Sequence, residues 1–134
     1  MDEFNRQIME EFRANAGQVG GPFTGVPMVI VHHTGARSGT VRQCPLAYLP
    51  HGDDIVIFAS KGGDPQNPAW YHNLIAHPDT VIELGADIVP VHVREATGAE
   101  RDELFERQKR AMPPFADYEA RTSRVIPVLV LERR

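Results

Sequence analysis

Two polar loops stand out among the 134 residues. The first, Thr34-Gly35-Ala36-Arg37-Ser38-Gly39 followed by Arg42, offers backbone N–H groups in a glycine-rich turn, a hydroxyl and two planar cations. Those are the parts from which an anion site is built. The second, Ala59-Ser60-Lys61-Gly62-Gly63, sets a hydroxyl and a point charge beside glycines that let backbone approach a ligand closely. Lys61 is one of only two lysines among 14 cationic residues, Lys109 being the other, so its isolation between Ser60 and a glycine pair calls for a chemical reason. Downstream, Asn67 can cap a helix with Pro68 in its first turn, and the positive end of that helix adds to the same site. Trp70 and Tyr71, flanked by Asn67 and Asn73, suit a flat ring system that needs a stacking surface and hydrogen bonds. Taken singly, each loop also reads as an ordinary solvated turn.

Other chemistries find less support. The six histidines invite a metal, but His72 and His77 are five apart on a helix and His32 and His33 are adjacent on a strand, so neither pair shares a face. Cys44 lies mid-strand beside Pro45 and reads as a small buried hydrophobe rather than a nucleophile. No nucleophile elbow, zinc-protease helix, phosphate-binding P-loop or dinucleotide fingerprint occurs.

The elements that must carry these loops follow from periodicity. Residues 2–14, with Phe4, Ile8, Met9 and Phe12 at helical spacing, predict an amphipathic helix, and residues 17–25 a flexible connection. Residues 27–34, 41–49 and 55–60 read as three strands of an antiparallel meander. A helix to about Ala76 follows, then a hairpin of 80–84 and 88–93 around Gly85-Ala86-Asp87. Thr97 with Glu100 is a capping-box signature for a helix to about Ala111; Pro113-Pro114 breaks it before a short helical stretch at 115–121, and 126–132 supplies the last strand. Without regular alternation of strand and helix, the fold class expected is α+β, a mainly antiparallel sheet closed into a barrel with peripheral helices.

Length and charge bound the function. With 134 residues and 42% hydrophobic content the chain reads as one domain, spanning 1–134, with an N-terminal helix over 1–16 and the barrel with its helices over 26–134. A net charge of −4 without a basic run argues against nucleic acid. No apolar stretch approaches a membrane span, and Asp2, Glu3, Glu10 and Glu11 on the first helix oppose an anionic lipid surface. The single cysteine and the lack of a secretion signal predict a cytoplasmic setting.

In order and spacing, the 34–46 block (TGARSGTVRQCPL), the 59–63 block (ASKGG) and the 67–78 block (NPAWYHNLIAHP) resemble the deazaflavin-dependent nitroreductase family, with the closing segment from Arg124 similar as well. The resemblance covers about residues 26–94 and is looser over the first helix and 95–121. It implies a split β-barrel like that of the FMN-binding split-barrel proteins and coenzyme F420 as hydride carrier. The coenzyme's phosphate and glutamate tail would then explain the cations of an acidic chain. By resemblance, Arg37, Ser38 and Arg42 take the tail, Ser60, Lys61 and Gly62 the linker and ring region, Trp70, Tyr71 and Asn73 enclose the coenzyme, and Pro45 and Leu46 lie under or beside the deazaflavin. Met112, Phe115 and Tyr118 would wall the pocket of a small electrophilic acceptor, with Tyr118 as proton donor. Nitroimidazole-activating members present several tyrosines along that wall; the single Tyr118 here shifts the expected acceptor towards quinones and enones. A non-catalytic F420 carrier and an FMN-dependent enzyme on the same fold are the competing readings, and a homodimer is compatible with either.

Overall fold

Seven strands form one sheet in the computed structural model, which describes residues 3–134. They are β1 (Met28–Thr34), β2 (Val41–Ala47), β3 (Leu49–His51), β4 (Asp54–Phe58), β5 (Asp79–Leu84), β6 (Asp87–Ala96) and β7 (Val128–Arg133), in the spatial order β2-β1-β5-β6-β7-β4-β3. Every neighbouring pair is antiparallel. The two outermost strands, β2 and β3, are consecutive in the chain and separated by Tyr48 alone. Two peptide units reach about 7 Å at most, so the sheet curls until its edges meet at that residue. There the Tyr48 N–H donates a 3.0 Å hydrogen bond to the Pro27 carbonyl. The result is a split-barrel-like α+β fold, mainly antiparallel, with its helices outside the sheet or at its end.

Strand alternation gives the curled sheet an inside and an outside. Val29, Val31, Ile55, Ile57, Ile82, Val91, Val93, Leu129 and Leu131 pack inside, together with Trp70 and Leu74 of α2 (Ala69–Ala76). Outside, Met28 and Ile30 meet Ile8, Met9 and Phe12 of α1 (Glu3–Ala14). Val56, Phe58, Val128 and Val130 meet Leu104 and Phe105 of α3 (Gly98–Ala111) and Phe115 of α4 (Pro114–Ala120). β1, β4 and β7 are therefore covered on both faces, which is why they read as unbroken apolar runs rather than alternating ones. The apolar stripe of α1 is turned onto the barrel, each buried side chain contributing roughly 2 kcal/mol, while Arg6 bridges Glu3 and Glu10 on its solvent side. Asp2, expected to begin this helix, lies outside the described residues. Among the described residues no helix is long and apolar enough to cross a membrane.

Several sequence expectations are corrected. The return strand over 41–49 breaks at Tyr48, where the chain turns the corner from one sheet edge to the other. The next strand ends at Phe58, leaving Ser60 at the entry to a 3-10 turn, Lys61–Gly63. β6 runs to Ala96 because β7 pairs with it as far as Ala96↔Val128. Asn67 does not cap α2: Pro68 holds the cap position, and Asn67 Oδ1 accepts from Arg124 instead. Nor does Thr97 cap α3 through its side chain. Glu100 is taken by a two-pronged bond from Arg94 on β6, at 2.6 and 2.9 Å, which a single backbone N–H cannot match.

Candidate functional site

The turn between β1 and β2 is held at its base by Gly35 N–H to Thr40 O (2.8 Å) and Gly39 N–H to Gly35 O (3.0 Å). Ser38 Oγ accepts from Thr40 N–H at 3.2 Å and lies where any side chain on Gly35 would have to go. Arg37 and Ser38 are exposed at its tip. α2 fixes this turn from below. Asn73 Oδ1 accepts a 2.9 Å hydrogen bond from Ala36 N–H, and Asn73 Nδ2 donates to His33 Nδ1 at 2.9 Å. Arg42 stands opposite His33 in the β1–β2 register and on the same face.

The second loop runs from β4 into α2. Its 3-10 turn is closed by Gly63 N–H to Ser60 O (2.9 Å) and Asp64 N–H to Lys61 O (3.1 Å). Lys61 adopts φ 47°, unusual for a side-chain-bearing residue, and is exposed. Gly63, at φ 85°, sits so close to α4 that an added Cβ would be 2.8 Å from both Tyr118 O and Arg121 Cβ. A residue not singled out in sequence organises the whole loop. Arg124 donates from Nε to Asp64 O, from Nη1 to Asn67 Oδ1 and from Nη2 to Ser60 O, each at 2.8 Å. Nothing local betrays it, since its partners lie 57 to 64 residues away.

The structure thus brings the two loops to α2, with Arg37, Ser38 and Arg42 on one and Ser60, Lys61 and Gly62 on the other. Other predicted residues are placed differently from expectation. Trp70 and Asn73 are each only 8% exposed; the indole packs in the barrel core and the amide is committed to His33 and Ala36. They support α2 and the 35–40 turn rather than presenting an open surface. Tyr71 is half-buried and its hydroxyl donates to Glu95 Oε1 at 2.8 Å. Burial, then the Glu95 carboxylate, pushes its pKa up to about 12, so it stays a phenol. Pro45 and Leu46 point to opposite faces: Leu46 shares the inner face with Arg42, whereas Pro45 pairs with Ile30 on the face that α1 covers.

The residues expected to wall the acceptor pocket lie where α3 meets α4. Met112 ends α3, its sulfur accepting from Gln108 Nε2 at 3.4 Å. Phe115 is buried edge-on to Phe58, with ring centres 5.8 Å apart, so it backs the wall and does not face outward. Tyr118 lies on Phe115 at 5.0 Å, half-buried, and its hydroxyl has no partner among the described residues.

Charge is unevenly neutralised. Arg13 is paired with Glu83, Arg94 with Glu100 and Glu132, and Lys109 with Glu106 and Glu119. Arg37, Arg42 and Lys61 are exposed and have no carboxylate partner among the described residues, a state shared by Arg110, Arg121, Arg133 and Arg134 outside the two loops. His33 is kept neutral by burial, then by Arg42 and His32, all of which lower its pKa. Burial pushes the Cys44 thiol up to about 11, so it carries no thiolate at neutral pH. Each histidine with a side-chain partner has a single one: His32 with Glu83, His33 with Asn73, His51 with Arg107 and His92 with Asp79. Among the described residues no three His, Cys, Asp or Glu side chains converge on a metal position.

Comparison with known proteins bears on this arrangement. The sequence profile of the F420H(2)-dependent quinone reductase family matches residues 4–133. An F420H(2)-dependent quinone reductase of Mycobacterium tuberculosis is 37% identical over 129 residues, covering 92% of this chain and 85% of its own. A solved F420-H2 dependent reductase superposes with a TM-score of 0.73 at 38% identity, over 79% of this chain and 94% of that one. Another structure, solved as a domain-swapped dimer, gives 0.74 at 34% identity over 95% and 93%. A profile spanning nearly the whole chain, with relatives at this identity, makes the protein an F420-dependent oxidoreductase that belongs to the F420H(2)-dependent quinone reductase family.

Proposed function

We propose that the chain reduces quinones with F420H2, holding the coenzyme's phosphate and glutamate tail at Arg37, Ser38 and Arg42 and its linker and ring region at Ser60, Lys61 and Gly62. The observation that carries this reading is the placement of three exposed cations without carboxylate partners among the described residues, Arg37 in the β1–β2 turn, Arg42 on β2 beside it and Lys61 in the β4–α2 loop, in a chain whose net charge is −4. A polyanionic tail fits such a set, because each contact adds attraction without first breaking an internal ion pair. When bound, the coenzyme supplies a hydride.

The chain's own residues do the rest. Arg37 and Arg42 draw in and orient the tail, Ser38 adds a hydroxyl beside it, and Lys61 supplies a point charge on a loop whose glycines permit close approach. Trp70 and Asn73 keep α2 and the 35–40 turn in fixed register. Leu46 offers an apolar surface on the inner face. Met112, with Phe115 behind it, favours an apolar, conjugated acceptor over a strongly polar one. Tyr118 Oη, having no hydrogen-bond partner among the described residues, donates the proton that the reduced quinone takes up.

The test is turnover with F420H2 across quinones, cyclic enones and nitroimidazoles. Quinones should be reduced fastest; faster nitroimidazole reduction overturns the acceptor assignment. Tyr118→Phe should lower kcat by about tenfold or more while leaving coenzyme affinity unchanged. A cytoplasmic location and a homodimer complete the reading, the second favoured by the relative solved as a domain-swapped dimer and decided by light scattering.

A further inference from the structure

We propose that Arg124 is a positioning residue for the coenzyme: its guanidinium holds residues 60–67 in the conformation that presents Ser60 and Lys61. This inference rests on the coenzyme site proposed above. The loop's internal bonds are short-range, linking Ser60 to Gly63, Lys61 to Asp64 and Asp64 to Gln66. Those bonds shape the turn but do not anchor it to the barrel. Anchoring comes from one stretch of chain on the far side, where Gly63 abuts Tyr118 and Arg121 and where Arg124 spans three acceptors, Ser60 O, Asp64 O and Asn67 Oδ1, each at 2.8 Å. All three guanidinium nitrogens are used, so the loop's beginning, middle and end are fixed by one rigid plane. Lys61 sits inside this frame at φ 47°, a conformation that persists only where the surroundings over-determine it.

The nature of the acceptors matters as much as their number. Two are backbone carbonyls and one is an amide oxygen, and Arg124 has no carboxylate partner among the described residues. Its positive charge is therefore uncancelled and lies behind the loop that carries Lys61. Arg124 both shapes the loop and adds to the potential an anionic ligand meets. The chain that carries Arg124 also leads back to α4, where Tyr118 O and Arg121 Cβ lie 2.8 Å from the position a Cβ on Gly63 would take.

Arg124→Lys keeps the charge but has one nitrogen where three are needed, and Arg124→Gln removes both charge and fork. Fluorescence titration with oxidised F420 should show affinity reduced about tenfold for the lysine variant and further for glutamine. The KM for the quinone should stay near wild type in both. Hydrogen exchange of the coenzyme-free protein should quicken in 60–67 and not in β1, β4 or β7, a split that a general loss of stability does not give. Asn67→Ala, which removes one of the three bonds and leaves Arg124 in place, should weaken F420 binding by about two- to fivefold. Added methylguanidinium should restore part of the affinity of Arg124→Ala. Wild-type affinity in Arg124→Lys, or exchange that rises uniformly through the barrel, overturns the assignment. A wild-type protein that binds no F420 overturns the coenzyme site itself.

Discussion

Asn73 joins the barrel wall to the 35–40 turn, donating from Nδ2 to His33 Nδ1 at 2.9 Å while its Oδ1 accepts from Ala36 N–H at 2.9 Å. The bond to Nδ1 requires neutral His33 with its proton on Nε2. Burial lowers the His33 pKa below the ordinary 6.5, with Arg42 and His32 acting in the same direction. The unfolded chain therefore takes up the proton first as pH falls. The stability from neutral His33 is complete above 6.5 and is lost as pH drops through the lowered folded value. Relative to His33→Gln, the wild type should lose stability in urea titrations as pH falls below 6.5; parallel profiles would count against this linkage. Asn73→Ala should cost about 2 kcal/mol, because it strands a buried ring nitrogen and a backbone donor.

Gly63→Ala should damage both stability and the shape of the 60–67 loop. The residue combines φ 85° with a Cβ position 2.8 Å from Tyr118 O and Arg121 Cβ, so the loop and α4 must separate to admit a methyl group. A loss of about 2 kcal/mol in chemical denaturation is expected, together with weaker F420 binding. Unaltered binding in a destabilised variant would show that contact with α4 does not shape the loop.

Salt should separate the unpaired cations from the paired ones. F420 affinity should fall as ionic strength rises, and Arg42→Gln or Arg37→Gln should flatten that dependence. Arg6→Gln is the control, since Arg6 is already neutralised by Glu3 and Glu10 on α1. Equal slopes for all variants would remove the cations from the binding surface.

The attachment of α1 should depend on Glu83. Arg13 first, then His32, hold the Glu83 carboxyl down to about 2 from its ordinary 4.5. A depressed carboxyl stabilises the fold fully above 4.5 and loses that contribution as pH falls towards about 2. Glu83→Gln should therefore cost about 1–2 kcal/mol at neutral pH, with the difference from wild type closing in acid. A difference that stays constant from pH 7 to pH 3 would assign the effect to packing.

β1, β4 and β7 were legible as strands because burial on both faces leaves apolar runs, and the two polar loops stood out because glycines and cations adjoin there. What was not legible is long-range. Residues 41–49 keep one alternation throughout, and a chain that passes from one sheet edge to the other does not interrupt that pattern, so the break at Tyr48 leaves no trace. Asn67 and Glu100 carry cap-like spacing, yet guanidiniums from Arg124 and Arg94 claim them, and which cation reaches which oxygen is decided only by packing. Trp70 and Asn73 show the same limit in reverse: residue types suited to a ligand were recruited by the barrel and its turn.

The junction at Tyr48 also governs how this wall can breathe. In an open sheet each edge strand frays by itself, and each offers its free backbone to a passing strand. Here β2 cannot peel from β1 without pulling on β3 and its ladder to β4, because one residue connects them. Local opening on the side bearing Arg42 and Leu46 is therefore mechanically coupled to the Leu49–His51 strand across the seam. That side of the barrel is tied like a hoop without a ladder of hydrogen bonds across its last gap.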